Sequence, residues 1–353
     1  RYWEKISTLI DNAQFILGEH VASFEEKFAA WLGVKYAVGV GNGTDALHLA
    51  LRAEDVGVGV EVIIPANSFI ATAIAVTLTG ARPVFVDCCE SNALIDYAQI
   101  EEAVTPKTKA IIPVHLYGRG ASQSAIVRVA EKYGLQVIED AAQSHGAHYD
   151  DIAQCTGTLC DYGCLSFYPG KNLGAFGDAG AVVCQDSEKY QKLLALRNYG
   201  STKKYEHPVF GLNSRMDPMQ AVILTLKLPY LQQWNTNRYR LACNYHDALA
   251  GIGDILVPML PAAAQHVMHI YAIRSQYRDK LFDYLQKNGI GVSIHYPEPI
   301  HLLGAYASLG YRRGQFPSAE RLANETISLP LFPEMTEDEQ DTVIYHIRNF
   351  FEQ

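Results

Sequence analysis

LQVIEDAAQSHGA, residues 135–147, begins as a nearly unbroken apolar run and then turns polar, with Glu139, Asp140, Gln143 and His145 in quick succession. The run does not alternate between apolar and polar positions. A strand with one wet face alternates, whereas a strand of a parallel sheet is covered on both faces and reads as continuous apolar sequence. Four earlier runs share this character: YAVGV (36–40), EVIIPA (61–66), RPVFVD (82–87) and KAIIPVHLY (109–117). Between them lie amphipathic helical patterns at 45–54, 69–80, 95–104 and 123–134. Strand–helix alternation of this kind predicts right-handed crossovers and a doubly wound α/β core.

Two further short strands, CLSFYP (164–169) and AGAVVCQ (179–185), flank a glycine-rich loop that holds one lysine, Lys171. A long helical segment follows at 218–249, with Pro229 expected to break or kink it. Beyond it, IYAIRS (270–275) reads as a strand, 279–290 as a helix, and HYPEPIH (295–301) as a proline-rich loop. The expected organisation is a large domain over residues 1–228 and a smaller C-terminal α+β domain over 229–353.

The formal charge of −9 leaves no basic surface to attract nucleic acid or an anionic membrane, so an anionic substrate must be held by local donors. The longest apolar runs are too short to span a bilayer. RYWEKISTLI, where the sequence opens, has neither a secretory-signal pattern nor an initiator methionine, so a few preceding residues are expected. The seven cysteines are an odd number and lack the paired spacing of a zinc site; reduced thiols in a cytoplasmic protein, and no metal, are expected.

Ligands of open α/β sheets bind beyond the carboxyl ends of the strands. After the first run comes GNGTDAL (41–47), a glycine turn opening a helix, where Gly43 and the Thr44 hydroxyl could cradle a phosphate; Thr44 or Asp45 as a plain N-cap explains it equally. Phe69 stands at the end of the second run, able to stack on a planar ring or to serve as core. Asp140 ends the fifth run, and its carboxylate needs a partner, either a cationic heterocycle nitrogen or an arginine. Gln143 and His145 follow toward the same mouth, and Ser166 offers a second hydroxyl ahead of Lys171. Together these meet the needs of pyridoxal 5'-phosphate. Its phosphate takes dipoles and hydroxyls, its ring a stacking face, its nitrogen an anion, and its aldehyde a lysine Schiff base.

EDAAQSHGA (139–147) and SFYPGKNLGAFGDAG (166–180), with GNGTDALHLAL upstream and GLNSRMDPMQAVIL downstream, resemble the DegT/DnrJ/EryC1/StrS sugar aminotransferases over essentially the whole chain. The resemblance implies the aspartate-aminotransferase fold type I, with a mostly parallel sheet flanked by helices. It implies Lys171 as the Schiff-base lysine, Asp140 as partner of the pyridinium nitrogen, Gln143 near the ring hydroxyl, Phe69 stacked on the ring, and Thr44 and Ser166 on the phosphate. Asn213, in the G-x-N-x-R motif, would reach the phosphate of a neighbouring subunit, which implies a homodimer with shared sites; a turn or capping role is the plain alternative. Tyr168, Lys204, His295 and His301 are candidate substrate contacts.

YPGKNLGA, LRNYGS (196–201) and HYPEPIH further resemble the branch acting on dTDP-3-keto-6-deoxyhexoses, with glutamate as donor, pyridoxamine phosphate as the intermediate cofactor form, and products used in deoxyamino sugars such as those of lipopolysaccharide O-antigen. C4 aminotransferases tend to carry a histidine in the lysine loop, and the dehydratase branch has histidine in place of Lys171. GRGASQ (118–123) and the cysteine-rich stretch 149–163 depart from the family pattern and are expected to be peripheral loops.

Overall fold

The computed structural model describes residues 2–352. Seven strands build one sheet: β1 (Tyr36–Val40), β2 (Glu61–Pro65), β3 (Arg82–Val86), β4 (Thr108–Ile111), β5 (Gln136–Asp140), β6 (Tyr162–Ser166) and β7 (Gly180–Cys184). Their order is β1-β7-β6-β5-β4-β2-β3. Only β7 runs antiparallel to its neighbours, so the architecture is α/β with a mostly parallel sheet. Every strand sits on one of the apolar runs, and Val62, Ile63, Ile64, Ile111 and Ile138 are fully buried, as strands covered on both faces require.

The run 109–117 is a strand only as far as Ile111. Pro113 has no N–H to give a ladder, and the chain leaves the sheet through a 3₁₀ turn, Leu116–Gly118. The long helix is also broken as expected: Pro218–Lys227 passes through the 3₁₀ turn Leu228–Tyr230, which contains Pro229, into Leu231–Leu249.

A second sheet pairs β8 (Tyr271–Arg274) with β9 (Thr326–Leu329) in antiparallel fashion. Tyr245, Tyr271, Ile273, Leu281, Leu285 and Ile347 form a separate core around it. We propose that the domain division falls at the Pro229 turn, with one qualification. Ile300, Tyr306, Phe316, Ala319 and Leu322 bury against the large sheet, and Asp87 accepts hydrogen bonds from the N–H groups of Ser318 and Ala319 at 2.9 and 2.8 Å.

The stretch 149–163 is not peripheral. Tyr149 is buried and donates its hydroxyl to Glu139 at 2.9 Å, and the Gly157 N–H reaches the same carboxylate at 2.9 Å. His115 completes the cage around Glu139 at 2.7 Å. Among the described residues no helix is long and apolar enough to cross a membrane.

Candidate active site

A cavity of about 720 Å³ opens at the carboxyl ends of β1, β2, β5 and β6 and is closed from the other side by the smaller sheet and its loops. One wall is the start of the helix Gly43–Ala53. Asn42, not Thr44 or Asp45, is its N-cap, accepting the Asp45 N–H at 2.8 Å. The turn below is tied down by Ser214, which accepts the Gly41 N–H at 3.2 Å and donates to Asp45 at 2.6 Å. With the cap supplied by Asn42, the Thr44 hydroxyl and the unpaired N–H groups of the first turn are free for an anion. Ser166, at the exit of β6, faces this turn so closely that a Cβ on residue 43 would lie 2.7 Å from the Ser166 Cβ. Gly43 is therefore required by that approach.

Asp140 ends β5 inside the cavity and is 6% exposed. The Thr72 hydroxyl donates to it at 2.8 Å and the Ala142 N–H at 3.2 Å. Burial nevertheless holds its pKa above the ordinary carboxylate value, outweighing these two hydrogen bonds and the opposing charge of Lys171. Lys171 lines the same cavity, and among the described residues its Nζ makes no hydrogen bond or ion pair. Burial brings its pKa down to about 8, against the opposing pull of Asp140. A buried amine without a hydrogen-bond partner and a buried carboxylate with a raised pKa in one cavity are the signature of a site rather than of a core.

Gln143 is oriented by two bonds: its Oε1 accepts the Tyr117 N–H at 2.6 Å, and its Nε2 donates to the Tyr296 hydroxyl at 3.1 Å. Phe69 caps the helix Ile70–Leu78, is half exposed, and faces Tyr296 with ring centroids 5.4 Å apart. His269, Ser293, His295, Tyr296 and Ser328 form the wall contributed by the smaller sheet and its loops. Burial and the nearby Lys171 charge push His269 and His295 below the usual imidazole pKa.

The cavity thus gathers Gly43, Thr44, Phe69, Asp140, Gln143, Ser166, Tyr168, Lys171 and His295. It does not gather four other candidates. His145 is fully buried behind it, with its Nε2 on the Ser166 carbonyl at 2.9 Å. His301 is buried against Phe316 and pairs with Glu320 at 3.1 Å. Lys204 is exposed, over the Tyr205 ring. Asn213 is exposed in a bridge to Asn198. Sequence reasoning missed Thr72, Tyr117, His269 and Tyr296. Thr72 had a local signal, one helical turn beyond Phe69; the other three are brought in by contacts between distant segments.

The pattern of the DegT/DnrJ/EryC1/StrS aminotransferase family matches residues 2–348. The chain belongs to this family. It is an aminotransferase dependent on pyridoxal phosphate. A Geobacillus stearothermophilus protein named a pleiotropic regulatory protein is 46% identical over 348 residues, covering 98% of this chain and 93% of its own. The dTDP-3-amino-3,4,6-trideoxy-α-D-glucose transaminase of Streptomyces venezuelae is 42% identical over 347 residues, 98% and 91% of the two chains. The UDP-N-acetyl-3-dehydro-α-D-glucosamine 3-aminotransferase of Acidithiobacillus ferrooxidans is 46% identical over 334 residues, 95% and 89%. An S. venezuelae protein solved in complex with a ketimine intermediate matches with a TM-score of 0.96 at 42% identity, covering 100% of this chain and 94% of that one. A Bacillus subtilis protein solved with bound pyridoxamine phosphate gives 0.93 at 33% identity, 100% and 81%.

The residues fit the cofactor. The Gly43–Ser166 approach leaves a cradle that any side chain at 43 would fill, and the Lys171 amine and the Asp140 carboxylate stand in the same cavity. When bound, pyridoxal phosphate supplies an electrophilic aldehyde and a ring that withdraws electrons from the reacting carbon. The helix start, Thr44 and Ser166 would hold its phosphate, and Asp140 would meet its ring nitrogen. Lys171, with its pKa lowered to about 8, can give and take a proton at Nζ.

Proposed function

We propose that the chain transfers the amino group of glutamate to C3 of a dTDP-3-keto-6-deoxyhexose, yielding the dTDP-3-amino-3,6-dideoxyhexose. The observation that carries a transaminase reading is the unpaired Lys171 amine sharing one cavity with Asp140, with open volume beyond them walled by Tyr168, His295 and Tyr296. The relatives that act on nucleotide-linked keto sugars support this substrate class, and two of them bear 3-amino or 3-dehydro names. Tyr168, where C4 enzymes tend to have histidine, supports C3 over C4. Glutamate enters as the common small donor able to regenerate the amine form.

The active unit in this proposal is a homodimer in which Asn213, exposed on its own chain, completes the phosphate site of the partner. Cytoplasmic residence is supported by seven unpaired thiols. The product would supply deoxyamino sugars to a surface polysaccharide such as O-antigen.

The test is to incubate the protein with glutamate and each of several dTDP- and UDP-linked 3-keto and 4-keto sugars, then locate the new amine by NMR. Amination at C3 of a dTDP sugar is the expected outcome. Amination at C4, or only of UDP sugars, overturns the finer assignment, and no turnover with any of them overturns the nucleotide-sugar substrate class.

A further inference from the structure

Tyr117 does not line the active-site cavity, yet its polar groups reach three different parts of the cavity wall. Its N–H donates to Gln143 Oε1 at 2.6 Å. Its carbonyl accepts the N–H groups of His269 and Ile270 at 3.0 and 3.3 Å. Its hydroxyl donates to the His295 carbonyl. Burial raises the pKa of this phenol, so it stays a donor throughout the working range.

The backbone is shaped for these contacts. Tyr117 adopts φ 60°, ψ 5°, the left-handed region that a bulky side chain avoids, and such conformations persist only where surrounding bonds impose them. The next residue must be glycine. Gly118 has φ +93°, and a Cβ there would lie 2.9 Å from Val267 and 3.0 Å from the Gln143 carbonyl. Gly118 also accepts the Val267 N–H at 2.9 Å, so the turn adds a short backbone ladder to the chain entering β8. Tyr117 also lines a second cavity of about 340 Å³ together with Leu116, Arg119 and His266.

We infer that Tyr117 is a positioning residue: one turn fixes Gln143, the approach to β8 and the His295 loop in a single frame, and its hydroxyl sets the face that His295 and Tyr296 present to the keto sugar. The substrate part rests on the function proposed above. The positioning part does not, since every contact lies within this chain.

Tyr117→Phe separates the two. It removes only the hydroxyl and leaves the backbone bonds to Gln143 and His269, the φ angle and the ring packing in place. Loss of this single hydrogen bond to the His295 carbonyl predicts a rise of about tenfold in KM for the nucleotide sugar with kcat nearly unchanged. In the holoenzyme, amide exchange across 293–297 should quicken about tenfold, while exchange at 118 and 143 and the affinity for cofactor, read by absorbance, stay as in the parent. Unaltered exchange at 293–297, or loss spread evenly over the protein with weaker cofactor binding, overturns the positioning role. Faster exchange confined to 293–297 with an unchanged KM keeps the positioning role and overturns its link to the substrate. If the parent aminates no nucleotide sugar at all, the proposed function fails while the exchange measurement still decides the role of Tyr117.

Discussion

The Nδ1 of His269 donates to the side-chain oxygen of Asn172 at 3.1 Å, and that direction is fixed by amides further away. Asn172 spends its Nδ2 on Asn235 at 2.8 Å and on the Val267 carbonyl at 2.9 Å, so only its oxygen faces the histidine. Asn235 in turn gives its own Nδ2 to the His145 carbonyl at 2.9 Å. The chain of amides therefore selects the tautomer of His269 with the lone pair on Nε2, and it does so through Asn172, the residue that follows Lys171.

Neutral buried histidines carry a cost in acid. Burial lowers the pKa of His145 and of His266 to about 3, and lowers that of His269 well below its ordinary value. Since the unfolded chain takes these protons near pH 6.5 and the folded chain does not, stability falls as pH drops below that point. By pH 5, His145 and His266 each remove on the order of 2 kcal/mol. Asp140, whose folded pKa is raised by burial, acts in the opposite sense wherever the unfolded carboxylate is ionised and the folded one is not. Urea unfolding of the cofactor-free protein should show a clearly lower midpoint at pH 5 than at pH 7. His266→Asn keeps an acceptor for the Met268 N–H, now met at 3.0 Å, and should shrink that difference. Equal midpoints at both pH values would exclude the neutral assignments.

Lys171 should reveal its ionisation in the capture of cofactor. Only the free amine attacks an aldehyde, and burial sets the amine pKa at about 8. The rate at which apoprotein takes up pyridoxal phosphate should climb as pH rises through that value and level off above it. Asp140 is the group that holds this pKa up, so in Asp140→Asn the climb should move to lower pH while kcat falls by a factor on the order of 10² or more. Stopped-flow absorbance measures the first effect. A profile still rising steeply at pH 10 would mean that Lys171 is not desolvated.

Gly43→Ala tests the phosphate cradle without touching a charge. The added methyl would lie 2.7 Å from the Ser166 Cβ and 3.3 Å from its Cα, so the strand exit and the helix start must separate. The fold should survive, because the clash sits at the rim of the sheet. Affinity for pyridoxal phosphate should fall by about tenfold to a hundredfold, with the far-UV spectrum and the thermal midpoint little altered. Unchanged affinity by fluorescence titration would show that the cradle is not the phosphate site.

The contrast between what was legible and what was not follows sequence separation. Gly43, Asp140, Ser166 and Lys171 were legible because each stands at the end of a strand or in the loop that leaves it, and a parallel sheet brings all its strand exits to one edge. His301 was misread because its proline-rich loop looks like a binding loop, whereas Glu320 and Phe316 draw the side chain into the core. His145 likewise lies five residues beyond a strand-end aspartate, but its ring turns inward to the Ser166 carbonyl. Tyr117 carried no local sign at all. Its three contacts reach residues 143, 269–270 and 295, and only the folded chain joins those numbers.

Asn213 offers the sharpest test of a site shared between subunits. Its neighbours in the same motif are spent within the chain: Ser214 on Gly41 and Asp45, and Arg215 on Asn198 at 3.1 Å. Asn213 itself is exposed, and its side chain makes no hydrogen bond among the described residues, so nothing in its own fold accounts for it. Lys171→Ala subunits should be inactive, and Asn213→Ala subunits should lose activity at sub-saturating cofactor, where a missing phosphate contact costs affinity. Mixed dimers then hold one site with both defects and one site with neither. Exchange of the two variants, verified by native mass spectrometry, should restore up to about half of the parental activity per mixed dimer, because one of its two sites is intact. If exchange is complete and the mixture is no more active than its components, Asn213 serves its own chain, and the dimer, where it forms, has independent sites.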